Sequence, residues 1–194
     1  MIIGEEFVWA HLGKAGGEMT HTLFMLFPDL VRFADSVHSP EQHTAFSDRE
    51  EEVDGKLRVL NIRRLPTWML SFHMWKSTEG LHPDYRTSAM PSPYEMAQSS
   101  VADQFLGRYV PPSGPRIDYW LRSEHLIEDF TTFIAGHTDL SPASLQAIKD
   151  APRVNDTHYD KSIDHWFTPA HVALMYIRNP WWAEVEASAY GDGA

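Results

Sequence analysis

The run Phe7-Val-Trp-Ala-His-Leu-Gly-Lys14-Ala-Gly-Gly17 carries an apolar stretch into a lysine set among glycines, and Glu18-Met-Thr-His-Thr-Leu-Phe-Met-Leu-Phe27 continues with helical character. An apolar strand, a glycine turn and a helix in that order form the building block of α/β folds. Gly13, Gly16 and Gly17 let the backbone turn and approach a ligand closely. The first-turn N–H groups of a helix lie outside its internal ladder, and Lys14 adds a mobile positive charge, so the unit reads as an anion cradle. A phosphorylated or sulfated ligand fits it. The plainer alternative, an exposed turn lysine, leaves the strand-to-helix context unexplained.

Downstream, Leu57-Arg-Val-Leu-Asn-Ile62 is the strongest strand candidate, entered through the Asp54-Gly55 turn and leaving into Arg63-Arg-Leu-Pro66. Residues 67–75 read as a helix with Pro66 in its first turn. Further strands are predicted over 7–11, 30–33 and 117–121. Helices are predicted over 17–27, 92–108, 123–130 with Ser123 as N-cap, 141–149, 168–176 and 180–190. Residues 76–93, rich in Ser, Thr, Pro, Gly and His, predict an irregular loop over a cleft. Alternating strands and helices imply a parallel sheet whose ligands gather beyond the carboxyl ends of the strands. Lys14 and Arg63 both follow such ends.

At 194 residues and 43% hydrophobic content, one core and one compact domain over 1–194 are expected. The chain has no cysteine, which excludes disulfides, thiolate zinc and a cysteine nucleophile and fits a reducing, cytoplasmic setting. No apolar run reaches the length of a membrane span and the start lacks a signal-peptide pattern, so a soluble protein, neither exported nor membrane-bound, is expected. A formal net charge of −11 argues against broad nucleic-acid binding, which needs many cations on one face. The cations available for a local anion site are Lys14, Arg63, Arg64, Arg122 and Lys161. Eleven histidines form no HExxH pair and lack cysteine co-ligands, so no metal is expected. Trp68, Met69, Phe72 and Trp75 follow helical spacing and read as core.

The lysine loop is not a Walker A pattern, because no glycine stands four residues before a Gly-Lys-Ser/Thr triplet. His11-Leu-Gly-Lys14-Ala15-Gly16-Gly17-Glu18-Met19 instead resembles the 5′-phosphosulfate loop of sulfotransferases that use 3′-phosphoadenosine 5′-phosphosulfate (PAPS), matching its lysine and glycines. Arg63 at a strand end, followed eight residues later by Ser71, resembles the family's 3′-phosphate motif. Arg122-Ser-Glu124-His-Leu-Ile-Glu-Asp129-Phe130 is similar to a third run found in bacterial and carbohydrate members.

The resemblance implies a P-loop-like, three-layer α/β architecture, a central mostly parallel sheet flanked by helices. It implies transfer of a sulfonyl group from PAPS to a hydroxyl, or an amine, of a small molecule or sugar, releasing 3′-phosphoadenosine 5′-phosphate without a metal. Gly13, Lys14, Ala15, Gly16, Gly17, Glu18 and Met19 would then meet the phosphosulfate, with Lys14 catalytic, and Arg63 and Ser71 the 3′-phosphate. In-line displacement needs fixed geometry, charge stabilisation on the leaving phosphate and a base for the acceptor proton. The family's histidine base stands about twenty residues before the 3′-phosphate arginine, which points to His43, with His38 and Glu18 in reserve. Arg63 has an alternative reading as the ion-pair partner of Glu124 or Asp129. Glu18, at a helix N-terminus, either points away from the anion, takes the acceptor proton, binds a cationic acceptor, or marks a catalytically silent nucleotide-binding or interaction module. The sequence sets neither acceptor nor oligomeric state.

Overall fold

The computed structural model describes residues 1–36, 39–77, 90–114, 116–152, 154 and 159–191. In chain order come β1 (Ile2–Ile3), β2 (Phe7–Ala10), α1 (Gly17–Phe24), β3 (Phe33–Ala34), α2 (Glu50–Val53), β4 (Leu57–Ile62) and α3 (Leu65–Ser77). They are followed by α4 (Pro93–Gln98), α5 (Val101–Tyr109), β5 (Tyr119–Arg122), α6 (Leu126–Ala135) and α7 (Pro142–Asp150). The last are α8 (Ile163–Trp166), α9 (Pro169–Arg178) and α10 (Pro180–Tyr190). The chain divides into two compact units, Met1–Ile62 with Arg108–Thr157, and Arg63–Gly107 with His158–Ala194.

The first unit carries a mixed five-stranded sheet in the order β3-β1-β2-β4-β5. Its longer strands β2, β4 and β5 run parallel, with Phe7 opposite Leu57 and Val59 opposite Tyr119. Parallel strands covered on both faces must be apolar throughout; every residue of β2 is accordingly at most 2% exposed. Phe7, Trp9, Val59 and Leu121 pack in one cluster with Leu23 and Phe24 of α1 and Phe130, Phe133 and Ile134 of α6. Phe24 meets Phe130 edge-on at 5.0 Å, and burying each such ring contributes about 1.5–3 kcal/mol. The α/β class and the parallel centre agree with the sequence reading.

Where the elements depart from that reading, a tertiary bond decides. The strand expected over 30–33 is a turn of 3-10 helix, Pro28–Leu30, followed by β3 (Phe33–Ala34), whose register is set by antiparallel pairing with β1. The helix expected over 92–108 breaks at Ser99 and Ser100: Ser99 Oγ accepts from Val101 N–H at 3.3 Å, and its carbonyl from Asn179 Nδ2 at 2.8 Å. Ser123 is not the N-cap of a helix over 123–130; it opens a 3-10 turn before α6 and spends its hydroxyl on the lysine loop.

Among its described residues the second unit is helical. Trp68 stacks on Phe72 at 5.0 Å and meets Trp182 at 4.8 Å, so Trp68, Met69 and Phe72 form core as expected. Asp103 accepts from Trp181 and Trp182 N–H at the start of α10. Glu186 accepts from Leu65 N–H at the start of α3, from Arg64 and from the Tyr176 hydroxyl. Carboxylates there close helix ends, Glu186 from a buried position and Asp103 from a partly exposed one. No helix among the described residues is long and apolar enough to cross a membrane.

Candidate functional site

Strand β2 ends at Ala10, and the chain turns through a 3.3 Å hydrogen bond from Ala15 N–H to the Leu12 carbonyl before α1 begins. Two residues of this turn are left-handed, Lys14 at φ 65° and Gly16 at φ 86°. Lys14 is the only described non-glycine residue with positive φ, a state that costs about 1–3 kcal/mol and persists where surroundings over-determine it. No side chain caps α1. Left-handed residues followed by an uncapped helix start present backbone dipoles as a concave anion-binding nest.

The loop is held from behind through its carbonyls. Ser123 Oγ donates, shared, to the Ala15 carbonyl at 2.7 Å and the Ile62 carbonyl at 3.1 Å. Thr20 Oγ1 donates to the Gly16 carbonyl at 3.1 Å and accepts from Asn61 Nδ2 at 2.9 Å, while Asn61 Oδ1 accepts from Trp9 Nε1 at 2.7 Å. Asn61 and Thr20 are wholly buried, so the chain from Trp9 to Gly16 works in a low dielectric and stiffens the loop. Gly17 has a steric reason as well: a Cβ there would lie 1.9 Å from His11 Cδ2. Thr20 and Thr22 do not offer hydroxyls to a ligand, because Thr22 Oγ1 donates to the Glu18 carbonyl and Thr20 is committed as above.

His43 reaches the same loop. Its Cε1 lies 3.6 Å from the position a Cβ would take on Gly13, and its ring centroid is 4.6 Å from that of His11. His43 Nδ1 stands 3.2 Å from the His11 carbonyl, an acceptor without a proton, so Nδ1 carries the hydrogen and Nε2 keeps the lone pair. Burial lowers the pKa of His43, opposed by that hydrogen bond; the Met1 amine and Arg108 lower it further, and Glu18 raises it. A neutral ring with a basic Nε2 is the form present at pH 7. Burial takes His11 down to about 3, so it is a neutral spacer between Trp9, Gly17 and His43. Glu18 lines a cavity of about 10 Å³ with His11, His21, Trp9 and Asp35.

In the second unit, Arg63 Nε donates to Thr67 Oγ1 at 3.2 Å, and Ser71, 9% exposed, lies one turn further along the same face of α3. Arg63, Thr67 and Ser71 thus fall at i, i+4 and i+8. Arg64 is committed elsewhere, 3.2 Å from Glu186 and over the Tyr190 ring at 3.8 Å. Arg122 is likewise held by Asp129, through bonds of 2.6 and 2.9 Å, so neither is an available anion ligand. Lys161 is exposed. His38 and most of the loop expected over 76–93 lie outside the described residues.

Sequence reasoning missed Asn61, Thr20 and Ser123 as the loop's supports. A lone asparagine inside the apolar run 57–62 was the available signal, since a buried amide demands partners. A larger hollow of about 390 Å³, lined by Phe46, Glu50, Arg58, Arg108 and Tyr109, sits at the amino end of β4, the opposite end from the lysine loop. Ligands of parallel sheets gather at the carboxyl ends, which favours the loop. Among the described residues no group of His, Asp and Glu gathers as a metal site. Comparison with family models, curated proteins and solved structures returns no match for this chain.

Proposed function

We propose that the chain is a cytoplasmic, PAPS-dependent sulfotransferase of P-loop-like, three-layer architecture, acting on a hydroxyl or amine of a small molecule or sugar. The observation that carries the reading is the lysine loop: left-handed Lys14 and Gly16 ahead of a helix with no side-chain cap, fastened through the carbonyls of Ala15 and Gly16. Residues 13–19 would take the 5′-phosphosulfate, and Arg63 and Ser71 the 3′-phosphate. The acceptor oxygen would bond to sulfur as the bond from sulfur to the bridging phosphate oxygen breaks. The acceptor proton would pass to His43 Nε2, and Lys14 would neutralise the charge arriving on the leaving phosphate.

Titration with 3′-phosphoadenosine 5′-phosphate against AMP tests the nucleotide assignment. Binding tighter to the former by at least tenfold is expected, with the preference lost in Arg63→Ala; equal affinities would sink it. A second reading, a catalytically silent nucleotide-binding module, is favoured by Glu18 and Met19 standing where the family carries hydroxyls, and by the commitment of Thr20 and Thr22 to the helix backbone and Asn61. Nucleotide binding without PAPS turnover across a broad acceptor panel would select it.

A further inference from the structure

Trp9 lies in strand β2 and is 1% exposed, yet two of its contacts lead to one peptide of the lysine loop, the one joining Gly16 to Gly17. The first route is polar. An indole N–H can only donate, so the atom of the Asn61 amide that meets it at 2.7 Å is the oxygen, and Nδ2 is left facing Thr20 Oγ1 at 2.9 Å. Thr20 Oγ1 accepts there, and its single proton goes to the Gly16 carbonyl at 3.1 Å, which also accepts from Thr20 N–H at 3.0 Å. With the amide reversed, Asn61 Oδ1 would take that proton and the carbonyl would keep only its helical bond. The second route is packing: the His11 ring stacks on the indole with centroids 5.6 Å apart, and its Cδ2 lies 1.9 Å from where a Cβ on Gly17 would stand. In a trans peptide the carbonyl and the next N–H point in opposite directions, so a Gly16 carbonyl drawn back to Thr20 sends the Gly17 N–H outward from the first turn of α1. Among the described residues that N–H has no acceptor.

We propose that Trp9 is a positioning residue of the anion site: the direction of its hydrogen bond, passed through Asn61 and Thr20, and the His11 ring stacked on it together hold the Gly16–Gly17 peptide with the Gly17 N–H facing the anion. The proposal rests on the reading of the lysine loop as an anion site, and not on which anion it takes. It gives a buried core tryptophan a task at the ligand, and it names Asn61 as the group that carries the direction from strand to helix.

The test titrates inorganic phosphate into the isotopically labelled full chain and follows the assigned Gly17 amide resonance. Phosphate should move that resonance in the unaltered protein. Trp9→Phe keeps a ring beside His11 and lacks the donor, and its phosphate affinity should fall about fivefold, the worth of one oriented hydrogen bond. Asn61→Asp accepts on both sides and claims the Thr20 proton, so it should lose as much. Thr20→Val keeps the shape of Thr20 without its proton and should do the same, while Thr20→Ser restores the affinity; a merely structural role would not sort valine from serine in this way. Unchanged phosphate affinity in Trp9→Phe and Thr20→Val, with the resonances of the core intact, overturns the proposal, as does a Gly17 resonance that phosphate leaves in place. Should Trp9→Phe not fold, the Thr20 pair decides alone. The sulfotransferase reading fails separately, when phosphate moves Gly17 but 3′-phosphoadenosine 5′-phosphate binds no tighter than AMP.

Discussion

The start of α1 in the first unit is finished differently from the main helix starts of the second, and from α7 of its own unit, which Ser141 caps. In the second, Ser92 and Glu95 form a reciprocal capping box at α4, Thr168 caps α9, Asp103 receives the first N–H groups of α10 and Glu186 that of Leu65 in α3. In the first, α1 starts on a glycine with no side-chain cap, directly behind a strained lysine. Polar side chains are not lacking there. Thr20 and Ser123 instead grip the carbonyls of Gly16 and Ala15, fixing the loop without competing for its donors. A capped helix start is finished structure; the start of α1 is fixed instead by hydroxyls on the carbonyls of Gly16 and Ala15, with no side chain on its positive end.

The comparison breaks most visibly at Glu186. Its side chain is 4% exposed and serves Leu65 N–H, Arg64 and the Tyr176 hydroxyl, so Glu186→Ala removes the partner of a cation and two donors. A loss of about 3 kcal/mol in urea denaturation is expected, chiefly because the Leu65 N–H is left buried without its charged acceptor, whereas Arg64, 38% exposed, regains solvent. Gly17→Ala is the counterpart in the first unit, its new Cβ 1.9 Å from the His11 ring. It should cost about 3 kcal/mol and abolish nucleotide binding together. A stable Gly17→Ala protein that still binds would mean that the loop is not locked against His11.

Much of this contrast is written locally. The lysine among glycines is legible because punctuation of an apolar run is a short-range signal, and Thr67 and Ser71, four residues apart within α3, share a face through helical spacing alone. What holds the loop is not. Ser123 has a hydroxyl equally suited to an N-cap or to a tertiary bond, and only the arrival of Ala15 and Ile62 decides between them. His43 meets His11 across 32 residues of sequence. β1 and β3 span two residues each, too few for any period, and exist because β2 offers an edge to β1 and β1 in turn offers one to β3.

Acid should expose a likeness between the units. His11 in the first has its pKa taken to about 3 and His73 in the second to about 4, in both cases mainly by burial, against about 6.5 in an unfolded chain. Each is neutral when folded, so the unfolded chain binds more protons below pH 6.5 and stability falls as pH drops from there toward the folded values. Between pH 7 and 5 each should cost about 2 kcal/mol, since both folded values lie below 5. Denaturation midpoints measured from pH 7 to 5 should flatten by a similar amount in His11→Asn and in His73→Asn, relative to the unaltered protein. A limb as steep in both variants as in the unaltered protein would place the acid sensitivity elsewhere.

The smallest effect separates charge from backbone. Lys14 holds a left-handed conformation that glycine adopts without a Cβ penalty, but glycine also gives the unfolded chain more freedom, so the two terms nearly offset. Lys14→Gly should therefore gain about 0.5 kcal/mol of stability, while Lys14→Ala keeps the strain and gains nothing. Both should lose anion affinity by about tenfold, since the charge is gone from each. Gln104→Gly in the middle of α5 supplies the opposite case: an ordinary exposed helical residue, whose replacement should cost about 0.5–1 kcal/mol. If Lys14→Gly instead destabilised as Gln104→Gly does, the left-handed turn would carry no strain, and the lysine would owe its place in the loop to packing rather than to a ligand.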